Sequence, residues 1–341
     1  PYVIEPKKIN EQSYPPIESE KGMSLYSQFN IHCKRPIGVH IPQDNRSEFQ
    51  RDYERIVHSK AYRRLVDKAQ IFTSSKGVYY RTRMTHTLEV AQIARAIAIG
   101  LDVNVQLTEA IALAHDLGHT PFGHQGERTL DDILKNKIEI IKGDFSRNPF
   151  GGFKHNFQGL RVVNYLEEKY IDFEGIDLSY QVLEGIIKHT GGKIKNCGNC
   201  DNINNCDSKC YDIKEFLPNS NYELLYLEIK NATTLEGQIV AIADEIAQRG
   251  HDLDDAFASN TLTTAELNEY LSLRKMTIFK DKIQKISEDM EFMRGKNRVY
   301  VDEKELYQER IISTVIGFFI TDVIEKSKQN LKSFIEDNFY K

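Results

Sequence analysis

The stretch TLEGQIVAIADEIAQRGHDLDDAF, residues 234–257, constrains the fold more than any other part of the chain. Leu235, Ile239, Ile242 and Ile246 recur there at the spacing of one helical face. A helix with a single apolar stripe has to lie against other elements. Yet Asp244 stands among these core-type residues. A lone buried carboxylate costs on the order of several kcal/mol unless it has a partner. The helix that builds the core must therefore also bring Asp244 to a cation.

The same period runs through most of the sequence. A helix is expected from Asp44 or Asn45 as its cap through residue 70, with Phe49, Tyr53, Ile56 and Val57 on one side. Further helices are expected at 85–100, 107–116, 124–135, 156–170, 178–189, 263–293 and 303–332. Residues 70–83, QIFTSSKGVYYRTR, place β-branched and aromatic residues around a Ser-Lys-Gly turn and read as a short β-hairpin. Residues 1–43 are proline-bearing and aperiodic, an irregular arm, and 44–341 read as one mainly α domain. No internal repeat or linker is evident. The one break in composition is residues 191–212, a Gly-, Asn- and Cys-rich insertion between helices.

Hydrophobic residues make up 40% of the 341 and charged residues 28%, with 17 Tyr and 17 Phe, so the chain can bury a substantial core. Its formal charge of −5 offers no global attraction to nucleic acid or an anionic membrane. Any anionic ligand has to be held by a local basic cluster or a metal. Residues 311–324, IISTVIGFFITDVI, are too short to span a bilayer and contain Asp322, so they read as a buried helix. The N-terminal residues lack the apolar core of a signal peptide, and a cytoplasmic protein is expected, with no membrane partner.

Residues 114–127, AHDLGHTPFGHQGE, supply the partner for Asp244. Neighbours on a helix point about 100° apart, so His115 and Asp116 can reach one ion only where the helix ends. Gly118 and Pro121 provide that end. Neutral imidazole together with carboxylate suits a borderline or hard divalent metal. Two ligands are too few, and His86 and Asp244 are the candidates to complete the set. His32, His40, His58 and His251 read as structural or solvent-facing, and Asp254 and Asp255 as solvated, while His189 is balanced between the site and the core.

A His, then a His-Asp pair, then a distant Asp resembles the HD-domain phosphohydrolases. The motifs KAQIFTSSKGVYYRTRMTHTLEVAQIARAIA, AIALAHDLGHTPFGHQGERTLDDIL, FKHNFQGLRVV and ADEIAQRGHDLDDA, spread over about residues 50–256, are similar to those of the dGTPase-like deoxynucleoside triphosphate triphosphohydrolases. That resemblance implies a helical HD fold with His86, His115, Asp116 and Asp244 holding Mn²⁺, Mg²⁺ or Fe²⁺. It makes His124 the catalytic histidine, Glu127 the acid that orients or protonates it, and His119 and His155 neighbours of the phosphates. It assigns Arg83 to the phosphates and Gln70 and Asp252 to the sugar 3′-hydroxyl. Gln248 stands where many relatives carry a tyrosine on the sugar, a departure that touches discrimination between deoxyribose and ribose.

The implied reaction releases deoxynucleoside and inorganic triphosphate. A metal polarises the α-phosphorus, and a histidine with a pKa near neutrality protonates the leaving 5′-oxygen. The letters do not choose between His124 as acid, water activator or nucleophile. Lys188 and Arg81 are candidates to neutralise the triphosphate. The resemblance also implies a homo-oligomer, hexamers included, and a dNTP effector, neither marked by any residue. An alternative keeps the metal and changes the substrate to a nucleoside monophosphate, cyclic dinucleotide or alarmone.

Cys197, Cys200, Cys206 and Cys210 are spaced C-x2-C-x5-C-x3-C in polar chain. In a reducing compartment this reads as tetrahedral Zn²⁺ ahead of an iron–sulfur cluster or free thiols. A nucleic-acid-binding role for this loop has only Lys193, Lys195 and Lys209 to support it. Cys33 stands alone and reads as inert.

Overall fold

A computed structural model describes residues 23–24, 26–38, 46–68, 81–135, 137–138, 152–190, 195–196, 210–211, 222–296, 299–300 and 302–339. Gln70, most of the expected hairpin, and Cys197, Cys200 and Cys206 lie outside the described residues, and of Cys210 only the backbone is described. The chain is mainly helical. Its helices are α1 (Glu48–Val57), α2 (Lys60–Arg63), α3 (Arg83–Gly100), α4 (Val105–Ala114), α5 (Gly123–Leu134), α6 (His155–Arg161), α7 (Tyr180–Lys188), α8 (Leu235–Ala258), α9 (Thr264–Leu273), α10 (Thr277–Gly295) and α11 (Glu303–Phe339). Two-residue strands β1 (Lys195–Asn196) and β2 (Cys210–Tyr211) pair in parallel and bring together the two ends of the Cys-bearing segment.

Side-chain caps fix where most of these helices begin. Ser47, not Asp44 or Asn45, caps α1, its hydroxyl accepting from Gln50 N at 3.0 Å. The helix expected to continue to residue 70 stops at His58, because Ser59 caps a new one and Glu167 accepts from both Lys60 N and Ala61 N. Thr82 and Thr85 form a reciprocal capping box at the start of α3. Arg83, assigned to the hairpin by its sequence context, instead opens this helix.

The centre of the fold is α3, α4 and α8 in mutual contact, with α1 and α7 covering α4. Val90, Ala94 and Ile97 of α3, Leu107 and Ile111 of α4, and Ile239, Val240 and Ala243 of α8 are buried there. The stripe on α8 is displaced from the expected one: Ile242 is 41% exposed, and the small Ala243 occupies the buried centre. Glu236, buried at the start of α8, accepts from Ser27 Oγ, Gln28 N and Asn104 N, fastening residues 27 and 28 of the N-terminal segment to the body.

A second, smaller apolar cluster joins Phe257, Leu271, Ile283, Ile286, Met290 and Ile311. The single helix expected over 263–293 is two here, broken at Lys275 with φ +56°. No glycine or proline marks that turn, and the period continues across it. The helix expected over 156–170 ends early, in a π turn over Val162–Leu166. Residues 311–324 are a half-buried strip and not a buried helix: Ile316, Phe319, Ile320, Val323 and Ile324 pack on the core while Gly317 and Thr321 face outward. Among the described residues no helix is long and apolar enough to cross a membrane.

A candidate metal centre of histidines and aspartates

Three helices converge on one cavity. His86 lies in the first turn of α3, one turn beyond Arg83 on the same side. His115 is the residue at which α4 ends, and Asp116 follows in the turn, so the adjacent pair diverges from helical geometry where it must. Asp244, Gln248 and His251 recur along one face of α8. The cavity of about 310 Å³ is lined by Arg83, His86, Asp116, His119, His124, His155, His189, Asp244, Gln248, His251 and Asp252, among others.

The donor atoms of four of these residues stand close together. His86 Nε2 is 3.1 Å from Asp244 Oδ1 and 3.8 Å from Asp116 Oδ2. His115 Nε2 is 3.5 Å from Asp116 Oδ1 and 3.8 Å from Asp244 Oδ1. Imidazole nitrogen and carboxylate oxygen bind divalent metals at about 2.0–2.2 Å, which puts adjacent donors of one ion about 3–3.6 Å apart. The His86–Asp244 and His115–Asp116 separations match adjacent donors on one ion, and donor atoms of His86, His115 and Asp116 all lie within 4.8 Å of one another.

Hydrogen bonding gives an independent sign. His115 Nδ1 donates to Ala112 O at 2.6 Å, which fixes the tautomer and leaves Nε2 with its lone pair toward the cluster. That Nε2 is buried and accepts no hydrogen bond. A metal ion could be that partner, with the backbone carbonyl as the outer support a ligating imidazole needs.

Electrostatics keep the two aspartates in their metal-binding form. Burial pushes the Asp116 carboxyl up, but His115, His119 and Arg83 together hold it well below the ordinary aspartate range. Burial also opposes ionisation of Asp244, yet its bond to His86 and the neighbouring His115 leave it at about 2. Burial pushes His189 down to about 3, with His115 and His155 adding to the effect, and pushes His119 lower still. The aspartates are charged and these two imidazoles neutral, as metal binding and anion approach require. Asp244 is not fully enclosed: 23% of its side chain remains exposed toward the cavity.

Arg83 Nη1 bonds Asp116 Oδ2 at 2.7 Å while its guanidinium lines the cavity. His124 is exposed at the rim, in the first turn of α5, which follows Phe122 in the left-handed conformation at φ +65°. A bulky residue there is a strained choice, and it sets the angle at which His124 enters the cavity. Glu127 does not bond His124. Its carboxylate accepts from His155 Nδ1 at 2.6 Å and from Lys154 Nζ at 2.8 Å. Glu127 thus orients the His155 ring, as backbone carbonyls do for His115 and His189.

Lys188 is not in the cavity. Its ammonium is fully buried and donates to Glu184, Tyr226 O and Asn231 O. Arg81 pairs with Asp254 and Asp255, so those acids are not simply solvated. His251, read as structural, lines the cavity with its Nε2 on Glu89 and its ring edge-on to His86. Its place seven residues from Asp244, two turns on in the α8 period, was a usable signal. Lys68, which sequence reasoning passed over, donates to His119 O at 2.6 Å and pins the turn after Asp116. Gly118 belongs to the same turn: a Cβ there would lie 2.0 Å from His155 O and 2.2 Å from Gly159 N, so α6 rests directly on the backbone beside the His-Asp pair.

This fold and His/Asp cluster are those of an HD domain, and the HD domain family profile matches residues 83–249. The chain is 42% identical over 289 residues to a "Deoxyguanosinetriphosphate triphosphohydrolase-like protein" of Agrobacterium fabrum, covering 84% of this chain and 62% of the relative. A protein of the same name from Brucella canis is 38% identical over 314 residues, with 86% of this chain and 72% of the relative covered. The chain belongs to this deoxyguanosinetriphosphate triphosphohydrolase-like family. It spans about three fifths of the length of the Agrobacterium relative.

Proposed function

We propose that the protein hydrolyses deoxynucleoside triphosphates, dGTP among them, to deoxynucleoside and inorganic triphosphate with a divalent metal. The observation that carries this reading is the convergence of His86, His115, Asp116 and Asp244 beside a cavity that also holds Arg83 and a rim histidine. A bound Mn²⁺, Mg²⁺ or Fe²⁺ supplies Lewis acidity toward a phosphate oxygen. The chain's own residues do the rest.

His124 is the exposed histidine among those lining the cavity, so it exchanges protons with solvent, while partial burial and Arg83 lower its pKa and make its charged form a readier proton donor. We assign it the proton delivered to the leaving 5′-oxygen, without which that oxygen departs as a high-energy alkoxide. Glu127 and Lys154 hold His155 with its Nε2 toward the cavity. Arg83 is poised to exchange its bond to Asp116 for a phosphate, a bidentate acceptor of matching shape. Gln248 and Asp252, one and two turns beyond Asp244 on α8, stand where a sugar edge would meet the cavity wall. The name shared by the relatives supports the substrate class.

Chromatography of dGTP and the other dNTPs after incubation with protein and Mn²⁺ or Mg²⁺ tests the proposal. Deoxynucleoside and tripolyphosphate in equal amounts are expected. Monophosphate or diphosphate products would reject this reaction in favour of another nucleotide chemistry.

A further inference from the structure

We infer that Glu89 and His251 form the outer support of His86 as a metal ligand: His251 Nδ1 accepts the hydrogen on His86 Nδ1, and Glu89 holds His251 in the tautomer that can accept it. The inference rests on the proposed reading of the metal site and deepens it. Its starting point is a difference between the two imidazoles of that site. His115 ends α4, where the last carbonyls have no partner further along the helix, and its Nδ1 takes Ala112 O. His86 lies in the first turn of α3, where the spare backbone groups are N–H donors. With Nε2 toward Asp244, the hydrogen of a neutral His86 is on Nδ1, and that atom is buried without a hydrogen-bond partner. The carbonyls of the turn are committed to the helix, so the acceptor has to come from a neighbouring element.

Helix α8 supplies one. The His251 ring is buried and meets that of His86 edge-to-face, with centroids 5.3 Å apart. Tilted edge to edge at that separation, two imidazoles bring facing nitrogens to about 3 Å, the length of an N–H···N bond. His251 Nε2 bonds the Glu89 carboxylate, which only accepts, so the hydrogen of a neutral His251 is on Nε2. Its Nδ1 is left with a lone pair, and this atom too is buried without a partner. A donor lacking an acceptor and an acceptor lacking a donor thus lie on two rings in contact.

The helical period puts each member in its place. Glu89 follows His86 by three residues on α3, and His251 follows Asp244 by seven on α8. The two helices therefore meet in two rungs, His86 with Asp244 and Glu89 with His251. The first rung belongs to the ion. The second stands beside it, and Glu89 and His251 act through His86 as positioning residues. A carboxylate and imidazole behind a ligating imidazole fix its tautomer and raise its basicity, and losing such support costs about 10–100-fold in metal affinity.

The test is a titration of metal-stripped protein with Mn²⁺, free ion being read by its electron paramagnetic resonance signal. His251→Phe keeps a flat ring and removes the lone pair, and is expected to bind Mn²⁺ about 10–100-fold more weakly than wild type. His251→Asn, whose amide oxygen takes the place of Nδ1, should recover most of that loss. Glu89→Ala, which frees the His251 tautomer, should weaken binding by a smaller factor. Unchanged affinity in His251→Phe means that the pair only braces α3 against α8, and overturns the inference while leaving the reading of the metal site intact. Equal losses in His251→Phe and His251→Asn also overturn it, because ring shape and not the lone pair is then what matters. A wild type that binds no Mn²⁺ overturns both. Should His251→Phe not fold, Glu89→Ala, changed at a side chain that is 45% exposed, decides alone, and wild-type affinity there overturns the inference.

Discussion

Two buried clusters of charged side chains, one on α7 and one between α3, α4 and α8, differ in whether they are complete. Around α7, Glu184 accepts from Lys188 Nζ, Thr233 N and Thr233 Oγ1, and Lys188 spends its remaining donors on two carbonyls. Between α3, α4 and α8, His115 Nε2, His86 Nδ1, His119 Nδ1 and Arg83 Nε are buried with no hydrogen-bond partner. Buried polar atoms are almost always satisfied, so a cluster that closes on itself is a brace and one left open awaits a ligand. The difference separates residues that look alike by type, since Lys188 and Arg83 are both buried cations.

The comparison breaks most severely at Asp244. Asp244→Asn should lower dNTP turnover by about 10³-fold or more, as expected when an ion loses a charged ligand, while leaving the thermal midpoint of metal-free protein nearly unchanged. Steady-state kinetics with calorimetry of the stripped protein would show it, and turnover within tenfold of wild type would contradict it. At the closed cluster the pattern reverses. Glu184→Ala should destabilise the fold by about 3–5 kcal/mol, because Lys188 is left as an unpaired buried charge. The double change Glu184→Leu with Lys188→Met should recover most of that loss in urea unfolding. A double variant as unstable as the single one would show that the pair does more than brace.

Metal addition sharpens the contrast. Mn²⁺ at a hundred times its dissociation constant should raise the unfolding free energy of the wild type by about 2.7 kcal/mol, seen as a higher midpoint. The same addition should do little for Asp244→Asn, and equal shifts in both proteins would place the ion elsewhere.

The smallest effect is the one read by pH. His155 and Lys154 draw the Glu127 carboxyl down to about 2 against the opposing effect of burial. Its folded pKa lies below the unfolded value, so the stability it contributes is fully present above about pH 4.5 and is lost as the pH falls toward 2. The gap between wild type and Glu127→Gln, on the order of 2 kcal/mol at neutral pH, should close over that window in acid-unfolding curves. A gap constant from pH 5 to 2 would remove Glu127 from the pairing.

Much of this was legible in the letters. The helical period marked most of the helices, and the isolation of Asp244 in an apolar stripe together with the helix end after His115 brought four distant residues to one point. What escaped was set by contacts between elements. Glu127 was paired on paper with His124, three residues away, whereas α6 brings His155 closer. Lys188, by sequence a candidate to neutralise the triphosphate, is spent on Glu184 one turn earlier, the i,i+4 signal of a paired cation. The break at Lys275 carries no sequence mark because an ordinary side chain takes up the left-handed turn. The cap of α1 falls at Ser47, two or three residues beyond the expected one, since Asp44, Asn45 and Ser47 are all competent by type.

The contact at Gly118 has a consequence for how finely the chemistry is tuned. With main chain resting on main chain, the spacing between His115 and His155 is set by the thickness of the polypeptide itself and has no rotamer through which to drift. The two halves of the cluster are thereby held as one piece, with His124 carried beside them on the first turn of α5.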